Sequence, residues 1–285
     1  MKTIKSFLVL AVAVLTSLSA SSTWAVEWLL YDTFNAKLIN PDKWVGRIST
    51  STGNELLDTI REIKGNRLHL LGRGYTRTDT TGGESISQVQ LFFTNTDIVA
   101  IKANIQVNGY QLVGCDDDAN SRVRARIVGS FFNAATPTPG SLQDDVWAHI
   151  RLQRNADSTD PYNVLRVLGD IFRCTDSACN GTSPVSDSSA DLGTARVGER
   201  VTLSLEWDQA AHRFIFQRTG GGDNGIVGGK ITAEASLYYT VPDIQPPGAK
   251  FRRLEVSESL TNCGIKQPHP VGFIDAYFDN VSVNQ

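Results

Sequence analysis

Polar and apolar residues alternate with a period of two along much of this chain, and the alternation marks out its strands. Over positions 99–107 the odd positions are Val, Ile, Ala, Ile and Val, with Lys102, Asn104 and Gln106 between them. That spacing turns one row of side chains toward a core and the other toward water, as in a half-buried strand. Val123, Ala125, Ile127, Gly129 and Phe131 repeat it with Arg122, Arg124 and Arg126 opposite. Val146, Ala148, Ile150 and Leu152 form a third inward row, leaving Trp147, His149, Arg151 and Gln153 outward. Leu165, Val167 and Ile171 make a fourth, with Arg166 and Asp170 facing away. Turn-rich segments at 133–144 and 155–161 separate these last three runs, which are expected to form an antiparallel meander.

Farther along, Val201, Leu203, Leu205 and Trp207 alternate with Thr202, Ser204, Glu206 and Asp208. A tight turn at Gln209 and Ala210 then leads to inward Phe214 and Phe216, so the spacing predicts a hairpin. Near the end, Ile274, Ala276 and Phe278 share one face, and Val281 and Val283 continue one residue out of step. That slip predicts a β-bulge at Asp279 and Asn280 within a last strand. Segments 67–71, 89–93, 231–239 and 251–256 carry weaker strand signals, and short helix fits only the connectors 188–195 and 40–44. A dozen strands with hardly any helical periodicity predict an all-β fold, an antiparallel two-sheet sandwich.

The start of the chain departs from this pattern. Lys2 and Lys5 precede an apolar run from 7 to 18, followed by small and polar residues up to Ala25. The run is too short to span a bilayer, which takes roughly 20 residues, and it reads as a secretory signal peptide over 1–25, with Ala20 as the other cleavage point. Residues 26–285 are expected to form a single domain, secreted or periplasmic, with no membrane span. The net charge of −3 on 285 residues is close to neutral and implies no nucleic-acid partner.

Export changes the meaning of the four cysteines. They point to two disulfides with three possible connectivities. Proximity favours Cys174 with Cys179, leaving Cys115 for Cys263. No CxxC pair with a suitably spaced histidine supports a zinc site. The run Gly220 to Gly225 satisfies a dinucleotide-binding spacing, but no helix-forming segment follows it and Asn224-Gly225 reads as a turn. Asp116, Asp117 and Asp118 are read as a solvated loop, with cation binding as the other possibility.

The last strand and the opening segment, Leu29-Leu-Tyr-Asp-Thr-Phe34 followed by Pro41-Asp-Lys-Trp44, together resemble the concanavalin A-like jelly-roll superfamily of lectins, glucanases and laminin G-like modules. The resemblance implies a jelly-roll sandwich whose terminal strands pair in one sheet. It also implies a possible structural calcium between those strands, held by Asp32 and Asp279; the other reading is that Asp279 and Asn280 satisfy backbone groups at the bulge. No other cofactor is expected. The glucanases of this superfamily carry Glu-x-Asp-x-x-Glu on one strand. Glu206-Trp-Asp208 supplies two of these acids, but Ala211 stands at the third position. Related lyases use a Gln, His, Arg and Tyr set; Gln88-Val-Gln90 lacks their histidine, and His149 is the candidate for that place from another strand, on a match of residue type alone.

The meander carries the functional expectation. Adjacent strands would bring Arg122, Arg124 and Arg126 beside Trp147, His149 and Arg151, with Arg166 across from them, on the face turned away from the core. Guanidinium groups bind carboxylate or sulfate in a fork, and an indole stacks on a sugar ring, so the face suits an anionic polysaccharide. The competing reading is that loops or acidic neighbours such as Asp170, Glu206 and Asp208 cover and neutralise it. The chain is thus expected to be an exported glycan-binding or matrix-interacting protein. A polysaccharide-cleaving enzyme with a non-standard site is the alternative.

Overall fold

A computed structural model describes residues 27–50, 54–76, 81–115, 120–186, 189–221, 231–264 and 269–284. The leader over 1–25, Asp116 to Asp118 and the glycine run beyond Gly221 lie outside the described residues. Eight strands occupy the first half of the chain: β1 (Leu29–Asp32), β2 (Trp44–Thr50), β3 (Asn54–Ile63), β4 (Leu68–Thr76), β5 (Thr81–Phe93), β6 (Ala100–Val113), β7 (Arg122–Asn133) and β8 (Asp145–Asn155). Eight more follow: β9 (Val164–Cys174), β10 (Thr182–Pro184), β11 (Ala190–Arg196), β12 (Arg200–Asp208), β13 (Arg213–Thr219), β14 (Thr232–Tyr238), β15 (Phe251–Cys263) and β16 (Val271–Asn284). Among the described residues the one helical element is a 3-10 turn at Gln209–Ala211. The segment read as a helical connector at 188–195 instead contributes β11, which pairs with β9.

The strands form two antiparallel eight-stranded sheets, as the periodicity predicts. The back sheet runs β14-β13-β12-β6-β16-β4-β3, with β1 beside the end of β16; the front sheet runs β10-β9-β8-β7-β15-β5-β2, with β11 beside β9. Neighbours in sheet order are often distant in sequence, such as β6 with β16 and β7 with β15. The terminal strands do pair, Leu29 opposite Val283 and Asp32 opposite Val281. The bulge also lies where the slipped apolar pattern places it. The register of β16 against β6 shifts between Asp279 and Ser282, and Asn280 has φ +49°, a left-handed conformation that asparagine tolerates better than most residues.

The core lies between the sheets. Val123, Ala125, Ile127, Val146, Ala148, Ile150 and Leu152 face Ile101, Ala103, Ile105, Leu203 and Leu205, all essentially inaccessible. Each of the valine, leucine and isoleucine side chains contributes about 1.5–3 kcal/mol on burial. Gly169 interrupts the inward row of β9 because Phe216 of the back sheet lies against it; a Cβ there would stand 2.5 Å from the ring. Not every inward position is apolar. Glu258 occupies the slot between Val256 and Leu260 on β15, wedged over Gly72 and Gly272 of the back sheet. Both predicted disulfides are present, with Cα atoms 5.6 Å apart for Cys115–Cys263 and 4.8 Å apart for Cys174–Cys179.

Candidate functional site

The meander expected from the sequence forms as β7-β8-β9. Cα partners across it include Arg124 with Gln153, Arg126 with Arg151, Trp147 with Ser130 and His149 with Asp170. Because Val123, Ala125 and Ile127 face the core, Arg122, Arg124 and Arg126 must take the outer face. β15 flanks the meander, placing Glu255 opposite Arg126 and Ser257 opposite Arg124. A groove of about 490 Å³ runs over this face. One wall is the loop closed by Cys174–Cys179, with Asn180 and Thr182; the other is β5, with Glu84, Ile86 and Gln88. Six of the seven residues expected to bind ligand line the groove: Arg122, Arg124, Arg126, Trp147, His149 and Arg151. Arg166 lies in an adjoining depression, where Asp160 clamps its Nε and Nη2 at 2.6 and 2.9 Å.

The face is more buried than its outward direction implies. Arg124 and Arg151 are 7% and 8% exposed, and Trp147 is half-buried against Phe172 and Phe251. Long side chains from five neighbouring strands lie across one another here, so a residue can face away from the core and still lose its water.

Two carboxylates neutralise much of the charge. Glu255 accepts from Arg126 Nε at 2.5 Å and Gln90 Nε2 at 3.2 Å, and pairs with Arg253 Nε at 2.6 Å. Burial opposes its ionisation, yet Arg126, Arg253 and Arg124 hold its carboxyl down to about 2. Asp170 pairs with Arg151 and with His149 Nε2, the latter at 3.1 Å. Arg126 and Arg151 can only donate, and they reach the two ring nitrogens of His149, Arg126 at Nδ1 over 3.3 Å and Arg151 at Nε2, where Asp170 also approaches. Burial and then Arg151 pull the His149 pKa down to about 3, so the ring is neutral.

Arg124 has no such partner. Its Nε is buried without a hydrogen bond, and among the described residues no carboxylate forms an ion pair with it. Burial, then the charges of Arg126, Arg122 and Arg151, pull its pKa well below the usual arginine value. Trp147 Nε1 is likewise buried and unbonded. Across this face five guanidinium groups (Arg122, Arg124, Arg126, Arg151, Arg253) meet three carboxylates (Glu84, Asp170, Glu255). The deficit of negative charge is concentrated at Arg124.

Sequence reasoning missed Arg253 and Glu255. Their strand gave only a weak signal because Arg252 breaks the alternation: it faces inward, donates Nε to the Ile98 carbonyl at 2.8 Å and lies 3.8 Å over the Phe131 ring. The alternation of Phe251, Arg253 and Glu255 was the available clue. Glu206 and Asp208, expected as possible neutralising neighbours, do not reach the arginines. They belong to β12 in the back sheet, where Asp208 caps the 3-10 turn through Ala211 N and pairs with Arg213 at 2.9 Å.

Asp32 and Asp279 lie near each other in the back sheet, but their oxygens bond to the protein. Asp32 accepts from Phe34 N at 2.8 Å and Trp44 Nε1 at 2.7 Å, and Asp279 accepts from Asn280 N at 2.8 Å. Among the described residues no group of three or more His, Cys, Asp or Glu side chains could hold a metal ion. The pair therefore does not fit a calcium cradle. Asp32→Ala is expected to lower stability by about 2 kcal/mol, because buried Trp44 loses its acceptor. The loss should be the same with calcium and with a chelator in denaturant unfolding; a loss confined to calcium-loaded protein would restore the metal.

No protein-family model and no curated protein matches the chain. Solved structures similar to it include lectins. The winged bean acidic lectin in complex with methyl-α-D-galactose is 10% identical, with 92% of this chain and 100% of that chain covered and a TM-score of 0.36. The lumenal domain of VIP36 in its Ca2+/Man2-bound form is 9% identical over 88% and 86% of the two chains, with a TM-score of 0.35. The legume lectin-like domain from Entamoeba histolytica is 11% identical over 88% and 97%, with a TM-score of 0.31. The likeness concerns the fold, which already rests on the strand order.

Proposed function

We propose that the protein is an exported glycan-binding protein that holds an acidic polysaccharide in the groove over β7, β8 and β9. The observation that carries the reading is Arg124, a guanidinium nine-tenths buried in the groove with no anionic partner of its own among the described residues. An unpaired buried charge is costly, and a ligand carboxylate or sulfate would supply the missing partner in a fork geometry. The surrounding network suits this task. Glu255 and Asp170 hold the neighbouring arginines and His149 in place, so the ligand orders few side chains on binding. Both ring nitrogens of His149 are engaged by protein groups, which favours binding over proton abstraction. Two disulfides support an oxidising compartment.

Arg124→Ala is expected to weaken binding of a uronate-bearing or sulfated polysaccharide at least tenfold, measured by calorimetry at low salt. Wild-type affinity should itself fall as salt rises. Unfolding of the variant should be unchanged or slightly harder, since a repelled charge has been removed. Unaltered binding would remove the basis for this reading.

A further inference from the structure

The groove does not end at Arg124. A second depression of about 220 Å³ adjoins it and shares Gln153 and Asn155 with it. Gln153 stands between Arg124 of β7 and Arg166 of β9 as Cα partner of both. With strands about 4.8 Å apart, the step from Arg124 to Arg166 is roughly 10 Å across the sheet. The chemistry changes over that step. Arg166 is neutralised by Asp160 at 2.6 Å and approached by Asp191 at 3.6 Å. Exposed Asp157 has no hydrogen bond or ion pair with the described residues. Leu168 forms a half-buried apolar floor, and the Ser158 and Thr159 hydroxyls stand at the rim.

The wall of this depression is built rather than loose. Arg154 Nη1 donates to the carbonyls of Pro161 and Val164 at 3.1 and 3.2 Å, and its Nη2 donates to those of Ser158 and Asp160 at 3.1 and 2.9 Å. Four carbonyls on one guanidinium hold the 155–161 loop in a single shape.

We infer that the ligand is a heteropolymer in which a carboxylate- or sulfate-bearing sugar at Arg124 is followed by an uncharged sugar seated over Leu168. This rests on the binding function proposed for the groove and specifies its ligand. An apolar floor ringed by amides, hydroxyls and two carboxylates, one of them paired with Arg166, accepts a neutral ring with its hydroxyl groups. A second acidic sugar would meet Asp157 and Asp160, and like charge excludes it.

The test compares hyaluronan and unsulfated chondroitin, where acidic and uncharged units alternate, with polygalacturonate, where every unit is acidic. Calorimetric titrations would use wild type, Asp157→Lys, Arg124→Ala and, as a charge control on the opposite sheet, Glu234→Lys. At least one alternating polymer should bind wild type tenfold or more tighter than polygalacturonate. Asp157→Lys should bring that ratio close to one, whereas Glu234→Lys should leave it in place. Equal wild-type affinities, or a ratio that Asp157→Lys does not move, would overturn the second subsite. If Arg124→Ala still lost binding in that case, the groove itself would stand. Failure of all three polymers to bind, or binding indifferent to Arg124→Ala, would overturn the groove reading and this inference with it.

Discussion

Glu258→Met is expected to make the protein more stable, and most so in mild alkali. Glu258 lies between the sheets with both carboxyl oxygens buried and without a hydrogen-bond partner. Burial raises its pKa to about 8, well above the ordinary carboxylate value. The sign follows from proton binding. The unfolded chain releases the proton near 4.5 and the folded chain holds it to about 8, so stability is full below 4.5 and declines as pH rises through this window. A displacement of that size corresponds to roughly 5 kcal/mol by pH 8 at 1.36 kcal/mol per unit. Methionine fills a similar volume without a charge, so Gly72 and Gly272 can still close over it. Denaturant unfolding from pH 4 to pH 9 should show the wild type weakening relative to the variant as pH rises. Parallel profiles would show that Glu258 ionises as freely in the folded state as in the unfolded one.

Three residues earlier on the same strand, Glu255→Gln is expected to act in the opposite direction. It should cost about 3–5 kcal/mol at neutral pH, because Arg126 and Arg253 are left charged, buried and without their shared carboxylate. Here the folded pKa is depressed to about 2, so the carboxylate's contribution is present above 4.5 and is lost as pH falls from 4.5 toward 2. The gap between variant and wild type should therefore narrow in acid. A variant as stable as wild type at pH 7 would mean that water, rather than Glu255, compensates these arginines. The two glutamates face opposite sides of one strand, and their partners alone decide which is charged.

Much of the fold was legible because its strands are half-buried. β6, β7, β8 and β12 each present one row to the core and one polar row outward, and a period of two reports that directly. β11 was misread as a helical connector because its inward residues Ala190, Leu192 and Ala195 are interrupted by Gly193, with φ +82°, and its register slips between Asp191 and Thr194. β15 was read only at its start because buried polar groups stand where apolar ones were sought: Arg252 and Glu258 inward, Ser257 and Ser259 outward.

By itself the sequence determined the all-β sandwich, the number of disulfides, the bulge at Asp279 and the side of the meander that carries Arg122, Arg124, Arg126, Trp147, His149 and Arg151, and it favoured the disulfide pairing that the structure has. These follow from local alternation and from counting cysteines, which need no knowledge of distant neighbours. Only the tertiary structure decided which arginine is left without a partner. β15 comes from more than a hundred residues away to lie beside β7 and brings Glu255 to Arg126 but Ser257 to Arg124. Which carboxylate meets which guanidinium depends on that long-range register, and no local pattern contains it.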